Sequence, residues 1–215
     1  MSSLQAAVDL PMFPLGSVLL PGMALLLRVF EPRYRVMMEE VLAADPPRFG
    51  VVLIERGSEV GGGDVRTDVG CTAVVRASEE LGDGQLALLA VGEERIRVER
   101  WLPDDPHPRA VVRAWPDAQE DGAPEAAELT TLAAEALDLA RAAAELSGAH
   151  LPEDLELSPD ANRLVYELAT LTPLGPLDRL RVLAAPELGA RIAVLSDLVM
   201  EQRILIEARR RFEEG

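Results

Sequence analysis

The strongest fold signal in this chain is the stretch LPMFPLGSVLLPGMALLLRVFEPRYR at positions 10–35. Two apolar segments in it, Leu10–Leu15 and Ala24–Val29, predict β-strands. Pro21-Gly22 lies between them and predicts a turn, because glycine can adopt positive φ there. Pro32 then fits the first position of a helix, where a backbone N–H is not needed. The stretch therefore predicts two strands followed closely by a helix.

The rest of the sequence up to residue 115 predicts mainly strands. The helix that begins at Pro32 is expected to end before Pro46-Pro47, with Tyr34, Met37, Met38, Val41 and Leu42 on one face. A turn at Leu81–Gly84 predicts a hairpin. Seven short strands with one early helix favour a closed or nearly closed β-barrel over an alternating βαβ sheet. They are predicted at Leu10–Leu15, Ala24–Val29, Gly50–Ile54, Cys71–Ala77, Gln85–Val91, Arg95–Trp101 and Ala110–Trp115.

Beyond residue 116 the apolar period changes to that of a helix. A polar linker is predicted at residues 117–124, so that residues 1–116 form one subdomain and residues 125–215 a second. Helices are expected at 125–146, from the Ser158-Pro159-Asp160 cap to Leu171, at 177–184, and from Pro186 to about Phe212. Short loops between such helices favour an antiparallel bundle. The last helix should pack through Ile192, Leu195, Leu198, Val199, Leu205, Ile206 and Phe212.

The composition narrows the functional classes. The 215 residues carry 37 acids and 21 basic residues, all of them arginine, and the formal net charge is -16. Such a surface repels nucleic-acid backbones at long range, so nucleic-acid binding is not expected. A single cysteine indicates a reducing compartment. With no signal peptide and no apolar run long enough for a bilayer, the sequence predicts a soluble cytoplasmic protein without a membrane partner.

No catalytic constellation is found in the sequence. The absence of lysine removes the phosphate-binding Gly-x-x-x-x-Gly-Lys loop, Schiff-base chemistry and a Ser-Lys dyad. His107 and His150 are interpreted as loop histidines, and Cys71 as a small buried apolar residue in a strand. The Gly61–Gly63 run is a poor dinucleotide motif and indicates a loop. We therefore expect no enzyme activity, no cofactor and no metal.

The 10–35 stretch resembles the opening of the Lon protease N-terminal domain family. The matching segments are Phe13–Gly16, the Pro21-Gly22 turn, the apolar strand after it, and Phe30–Tyr34 entering a helix. Further segments match in order: Phe49–Ile54, Val69–Ala73, Asp83-Gly84 and Val91–Val98. The resemblance implies a PUA-like β-barrel followed by an α-helical bundle, in an α+β protein. It also implies a module that recognises unfolded or damaged polypeptide, as a stand-alone member without the ATPase and protease domains.

The motif residues that could contact a polypeptide are Phe13, Phe30, Arg33 and Tyr34. The three aromatic residues are candidates for a hydrophobic seam between barrel and helix, and Arg33 for an ion pair with Glu31. Each also has a purely structural explanation. If the seam is exposed, it would serve as a peptide groove.

Four functions stay open from the sequence. The first is a non-catalytic module that holds an extended apolar segment at a barrel edge or groove, as a quality-control adaptor that could work with a protease or another protein partner. The second is RNA binding through a PUA-like barrel, with Arg95, Arg97 and Arg100 as the basic cluster. The third is a cryptic hydrolase, and the fourth is a scaffold that dimerises through its last helix. The oligomeric state is expected to be monomer or homodimer.

Overall fold

The computed structural model of the chain describes residues 6–57, 59, 65–118, 126–152 and 154–213. It divides into two compact units, Met1–Pro116 and Asp117–Gly215. Within the described residues the protein is α+β, with a six-stranded mixed sheet and five helices. The first unit contains β1 Val8–Leu15, β2 Ala24–Val29, α1 Pro32–Ala43, β3 Arg48–Arg56, β4 Val65–Leu81, β5 Gln85–Trp101 and β6 Arg109–Ala114. The second contains α2 Ala126–Leu146, α3 Ala161–Leu171, α4 Pro176–Ala184 and α5 Leu188–Glu213.

Five strands of the first unit pair in a closed circuit. β5 pairs with β4, β4 with β3, β3 with β1, β1 with β6, and β6 again with β5. The β1–β3 pairing is parallel and the others are antiparallel. β2 lies outside this circuit as an added antiparallel strand on β5. A long β5 makes both arrangements possible, because β2 pairs with residues 86–91 and β6 with residues 96–101.

The prediction of seven strands was wrong by one, because two of them are parts of β5. Gly92 and the two glutamates after it resemble a turn in sequence, but the backbone stays extended through them. The reason is an irregularity in the β4–β5 register at Cys71–Ala73, where the hydroxyl of Thr72 accepts a hydrogen bond from Glu94 N–H at 3.0 Å. The hairpin predicted at residues 81–84 is confirmed by the pairing of Leu81 with Gln85.

The core of the first unit lies between the sheet and α1. The buried face of α1 consists of Tyr34, Met37, Met38 and Val41, as expected, and Pro32 occupies the first turn. Leu42 was expected on this face but is exposed. At 100° per residue it lies at the margin of the stripe that the other four form. A second cluster fills the other end of the sheet with Leu10, Met12, Val52, Ile96, Val98, Ala110 and Val112.

In the second unit, α2 packs on α3 and α5, and α5 also contacts α3 and α4. The start of α3 differs from the prediction, because its N-cap is Asp160, which accepts from Arg163 N–H at 2.9 Å. Ser158 instead accepts from the N–H of Asp160. Both residue types are good N-caps, so the sequence did not distinguish them. The linker prediction falls largely on residues 119–124, which lie outside the described residues, as does the 61–63 glycine run.

The buried stripe of α5 contains Ile192, Leu195, Leu198 and Val199, as expected. Leu205 was also expected to pack but is 60% exposed. It lies seven residues after buried Leu198 and so on nearly the same side of the helix, but no described residue of α5 after Val199 is buried, so the exposure follows from its position near the end of the helix. The side chain of Phe212 lies outside the described part of the chain. None of the described helices combines the length and apolarity needed to cross a lipid bilayer.

A buried arginine connects α5 to the first residues of the second unit. The side chain of Arg191 is 0% exposed, and its Nη2 donates to Asp117 at 2.5 Å. Its Nη1 donates to the side-chain oxygen of Asn162 at 2.8 Å, and the guanidinium lies 4.5 Å from the centre of the Tyr166 ring. The backbone of Ala118 adds a hydrogen bond to the carbonyl of Pro186. Asp117 is therefore held at a fixed place on the helices.

A charged cluster joins α1 to β6 and predicts a pH effect on stability. Arg109 donates hydrogen bonds to Glu40 and to Asp9. The hydrogen bond to Glu40 holds the pKa of the Glu40 carboxyl below its usual range. His107 Nε2 lies 3.2 Å from the same carboxylate. Because the folded-state pKa of Glu40 is lowered, its carboxylate contributes to the free energy of unfolding above about pH 4.5. This contribution is lost as the pH falls through the folded-state pKa.

We expect Glu40→Gln to lower the free energy of unfolding at neutral pH by under about 1 kcal/mol, since the carboxylate is partly solvated. The difference between the two proteins should shrink when urea unfolding is repeated at acidic pH. A difference that grows with acidification would contradict this assignment.

Candidate functional site

β2 is an edge strand. Its register with β5 runs from Ala24–Val91 to Val29–Leu86, and its other side has no strand partner among the described residues. Backbone N–H and C=O groups on such an edge are available to another chain. Leu26, in the middle of the strand, is 79% exposed. An open edge that carries a large exposed apolar residue is a candidate interaction site.

One face of this edge borders a cavity of about 180 Å³, which we call the edge cavity. Its lining comes from β1, β2, the residues after β2, the start of α1 and Glu59, and no β5 residue takes part. The edge cavity therefore lies on the open side of β2. Its lining residues are Phe13, Leu15, Leu26, Leu27, Arg28, Val29, Phe30, Glu31, Tyr34 and Glu59.

Two stacked aromatic rings form the floor of the edge cavity. The rings of Phe13 and Tyr34 are 4.1 Å apart at 10° to each other, and both residues are buried. Phe49 supports Phe13 from behind at 6.2 Å. Phe30 is different, because it is 54% exposed beside this floor. The cavity thus has a rigid aromatic floor and one exposed aromatic side chain at its mouth.

Arg33 braces the wall of the edge cavity without lining it. Its guanidinium lies 4.5 Å from the centre of the Tyr34 ring. Its Nε donates to Glu31 at 3.1 Å, and its Nη2 donates to the backbone carbonyl of Glu59 at 3.1 Å. The Glu59 carboxylate in turn accepts from the backbone N–H of Gly16. Arg33 therefore positions Tyr34 and Glu31, and its charge is already compensated.

The opposite face of β2 borders a wider depression of about 640 Å³, which we call the outer groove. It crosses β2, β5 and β4, and its central row is Leu26, Leu89 and Ala77, which are paired in register. The next row is Arg28, Ala87 and Glu79, so a basic and an acidic side chain stand on either side of an alanine. Arg28 donates to Gln85 at 2.8 Å. The outer groove is apolar at its centre and carries one basic and one acidic side chain at its end.

Cys71, His107 and His150, which the sequence offers as a candidate nucleophile and candidate bases, lie in three different environments. Burial raises the pKa of the Cys71 thiol to about 12, which disfavours the thiolate form that a nucleophile needs. His107 lies in the loop between β5 and β6, as interpreted, but its side chain is buried, because it packs between the carbonyl of Pro108 and Glu40. His150 is exposed. Over the described ranges, no group of His, Cys, Asp and Glu side chains could hold a metal ion.

The structure brings the four sequence-predicted site residues to one place. Phe13, Phe30 and Tyr34 line the edge cavity, and Arg33 supports it from outside. The sequence interpretation missed two of the three leucines of β2, Leu26 and Leu27, and Leu89 in the outer groove. No local signal identified them, because a run of consecutive apolar residues such as Ala24–Leu27 is equally typical of a strand buried on both faces.

Comparison with known proteins places these features in a family. The family model described as the ATP-dependent protease La (LON) substrate-binding domain matches residues 9–201. A curated relative, Lon protease 2 of Herpetosiphon aurantiacus, is 28% identical over 212 residues. That match covers 94% of this chain and 25% of the relative, so the chain spans about a quarter of the relative's length.

One solved structure agrees with this assignment, and a second shares the fold. The crystal structure of a Lon N-terminal domain protein from Xanthomonas campestris superposes with a TM-score of 0.65 at 29% identity, covering 88% of this chain and 98% of that one. The N-terminal domain of the Mycobacterium avium complex Lon protease has the same fold, with a TM-score of 0.57 at 16% identity, covering 90% and 98%. The chain belongs to the Lon protease substrate-binding domain family.

Proposed function

We propose that this protein binds extended polypeptide segments along the open edge of β2, as a non-catalytic substrate-recognition module. The observation that carries the proposal is the edge of β2, which has no strand partner among the described residues and has an apolar surface on each of its faces. Main-chain hydrogen bonds to such an edge do not depend on the ligand's sequence, while the side-chain surfaces supply preference. The family description, a substrate-binding domain of an ATP-dependent protease, supports polypeptide as the ligand.

The biological role that fits this binding is protein quality control. A folded protein has few free apolar extended segments, whereas an unfolded chain presents many. We propose that the protein acts as an adaptor that presents such segments to a protease or another protein partner in the cytoplasm. It works as a monomer or a homodimer in this account.

The architecture that we propose for this role has two parts. The first unit is a PUA-like β-barrel, supported by the closed circuit of strand pairings. The second unit is an α-helical bundle, supported by the packing of α2 on α3 and α5. The proposed boundary lies at residue 116, with a linker that includes residues 119–124. The edge site belongs entirely to the first unit.

RNA binding has less support. Of the three arginines that suggested it, Arg95 is buried, and its guanidinium lies 4.6 Å from the centre of the Trp115 ring. Arg97 lies over the same ring at 4.5 Å and is 3.9 Å from Asp68. These cations are thus engaged within the first unit. With a net charge of -16, the chain also lacks the electrostatic attraction that phosphate binding uses.

Phe30→Ser tests the proposed function. About half of this side chain is exposed, so covering it with ligand should contribute about 1 kcal/mol, and its loss should weaken binding about fivefold to tenfold. Fluorescence anisotropy with a labelled, permanently unfolded polypeptide measures the dissociation constant. Leu177→Ser is the matched control, since Leu177 is 63% exposed on α4 in the second unit. If both variants bind as tightly as the wild type, the β2 edge is not the binding site.

A further inference from the structure

We infer that two copies of this protein associate face to face through the outer groove, as a symmetric dimer. This inference goes beyond the proposed function, because it concerns the outer face of the sheet and not the open edge of β2. The outer groove lies over β2, β5 and β4, inward of that edge, so a strand added to β2 would not reach it. A second sheet placed over the face would cover it.

The central row of the outer groove has a large side chain at one end and a small one at the other. Leu26 of β2 and Ala77 of β4 stand on either side of Leu89, which belongs to the central strand β5. Leu26 is 79% exposed, and Ala77 is also exposed. Because alanine carries only a methyl group, the face has room above β4 for a side chain from another molecule.

The next row repeats this asymmetry in charge. Arg28 stands on β2 and Glu79 on β4, with Ala87 of β5 between them. Two strand spacings, about 10 Å in total, separate their backbones. Arg28 donates to the neutral side chain of Gln85, and neither Arg28 nor Glu79 forms an ion pair within the part of the chain that the structure describes. Both charges are therefore available to another molecule.

A two-fold axis parallel to β5 makes this face complementary to itself. The axis lies between two stacked sheets, about 10 Å apart and nearly aligned, and it places β2 of each copy over β4 of the other. Leu26 then lies above Ala77 of the second copy, and Arg28 faces Glu79 of the second copy. Each contact occurs twice. An axis perpendicular to β5 would instead set Leu26 against Arg28, so the pattern selects one arrangement.

The charges favour a second copy over other occupants. A uniformly acidic or basic partner would satisfy one of Arg28 and Glu79 and oppose the other, whereas a second copy carries both charges at the required spacing. The net charge of -16 opposes association at long range. At about 0.15 M salt the screening length is about 8 Å, which removes much of this repulsion. The edge cavity lies on the opposite face and stays open in the dimer.

Sedimentation velocity at about 0.15 M salt tests the inference. We expect the wild type to form a dimer whose fraction rises with protein concentration. Leu26→Ser should raise the dissociation constant of the dimer about a hundredfold, because the interface loses two leucines at about tenfold each. Leu177→Ser is the matched control, since it removes a leucine that is 63% exposed on α4, and it should dimerise as the wild type does.

A charge swap tests the arrangement itself. Arg28→Glu sets two acids against each other across the axis, and Glu79→Arg sets two arginines against each other, so each single variant should weaken the dimer about tenfold. The double variant restores opposite charges and should dimerise within about threefold of the wild type. Both side chains are exposed, so the fold should be retained, and far-ultraviolet circular dichroism checks this.

Three results would overturn the inference. They are a wild type that stays monomeric at about 0.1 mM, a dimer that Leu26→Ser leaves intact, and a double variant that dimerises no better than the single ones. The second result would assign association to another surface, such as exposed Met200 and Ile204 on α5. Fluorescence anisotropy with the unfolded polypeptide reports separately on the proposed function. A monomer that binds the polypeptide overturns only the dimer, whereas a dimer that binds none overturns only the proposed function.

Discussion

Asp117→Ala should lower the free energy of unfolding of the second unit by about 3 kcal/mol, because it leaves a buried guanidinium without its carboxylate. Arg191 is 0% exposed, and within the described residues its other side-chain hydrogen bond goes to Asn162. Its Nε is buried without a partner in that part of the chain. Among the residues that the structure describes, the site therefore has no spare acceptor to replace Asp117.

Arg191→Met should cost less than Asp117→Ala. Methionine fills much of the same volume, and the Asp117 side chain, which is 28% exposed, can be solvated once the arginine is gone. Urea unfolding followed by far-ultraviolet circular dichroism, which reports the helices, gives both values. Asp178→Ala is the matched control, since its pair with Arg181 is exposed on α4 and should contribute under about 0.5 kcal/mol. A smaller loss for Asp117→Ala than for Arg191→Met would contradict this account.

Gly92→Ala should destabilise the first unit by about 3 kcal/mol through steric overlap. A Cβ at this position of β5 would overlap the carbonyl oxygen of Leu20. This oxygen belongs to the backbone, so it cannot move away as the end of a flexible side chain could. The same backbone region holds the start of β2, because Gly22 N–H donates to the Gly92 carbonyl and Gly92 N–H donates to the Met23 carbonyl. The substitution should therefore also weaken polypeptide binding at the β2 edge.

Tryptophan fluorescence during urea unfolding measures the first effect, since both tryptophans belong to the first unit. Gly175→Ala, followed by far-ultraviolet circular dichroism because α4 belongs to the second unit, is the control: a Cβ there would come no closer than 3.9 Å to Asp178. Its cost should stay under about 1 kcal/mol, from the N-cap position alone. If Gly92→Ala is as stable as the control, the close approach of the two backbones is not what requires glycine.

Local signals predicted much of the fold. The residues with strong backbone preferences correctly predicted a turn at Pro21-Gly22, a helix start at Pro32 and a hairpin at Leu81–Gly84. The continuity of β5 could not be foreseen, because the extended backbone around Gly92 depends on tertiary contacts with Leu20 and with Thr72. Local propensity carries no information on such contacts.

For the same reason, the sequence predicted only part of the candidate site at β2. Phe13, Phe30 and Tyr34 stand in a recognisable motif, and the structure brings them to one cavity. The outer groove needs the register of three strands that are distant in sequence, with Leu26 beside Leu89 and Leu89 beside Ala77. That β2 is an edge strand is likewise a property of the sheet order and not of its own residues.

The most direct test of the central claim is amide hydrogen exchange, read residue by residue by NMR, with and without a permanently unfolded polypeptide. The account predicts that amides within Ala24–Phe30 that point away from β5 exchange more slowly in the complex, because the added strand accepts their hydrogen bonds. A folded competitor of the same sequence should produce no such protection. Saturable binding that protects residues elsewhere and leaves Ala24–Phe30 unchanged would contradict strand addition at β2.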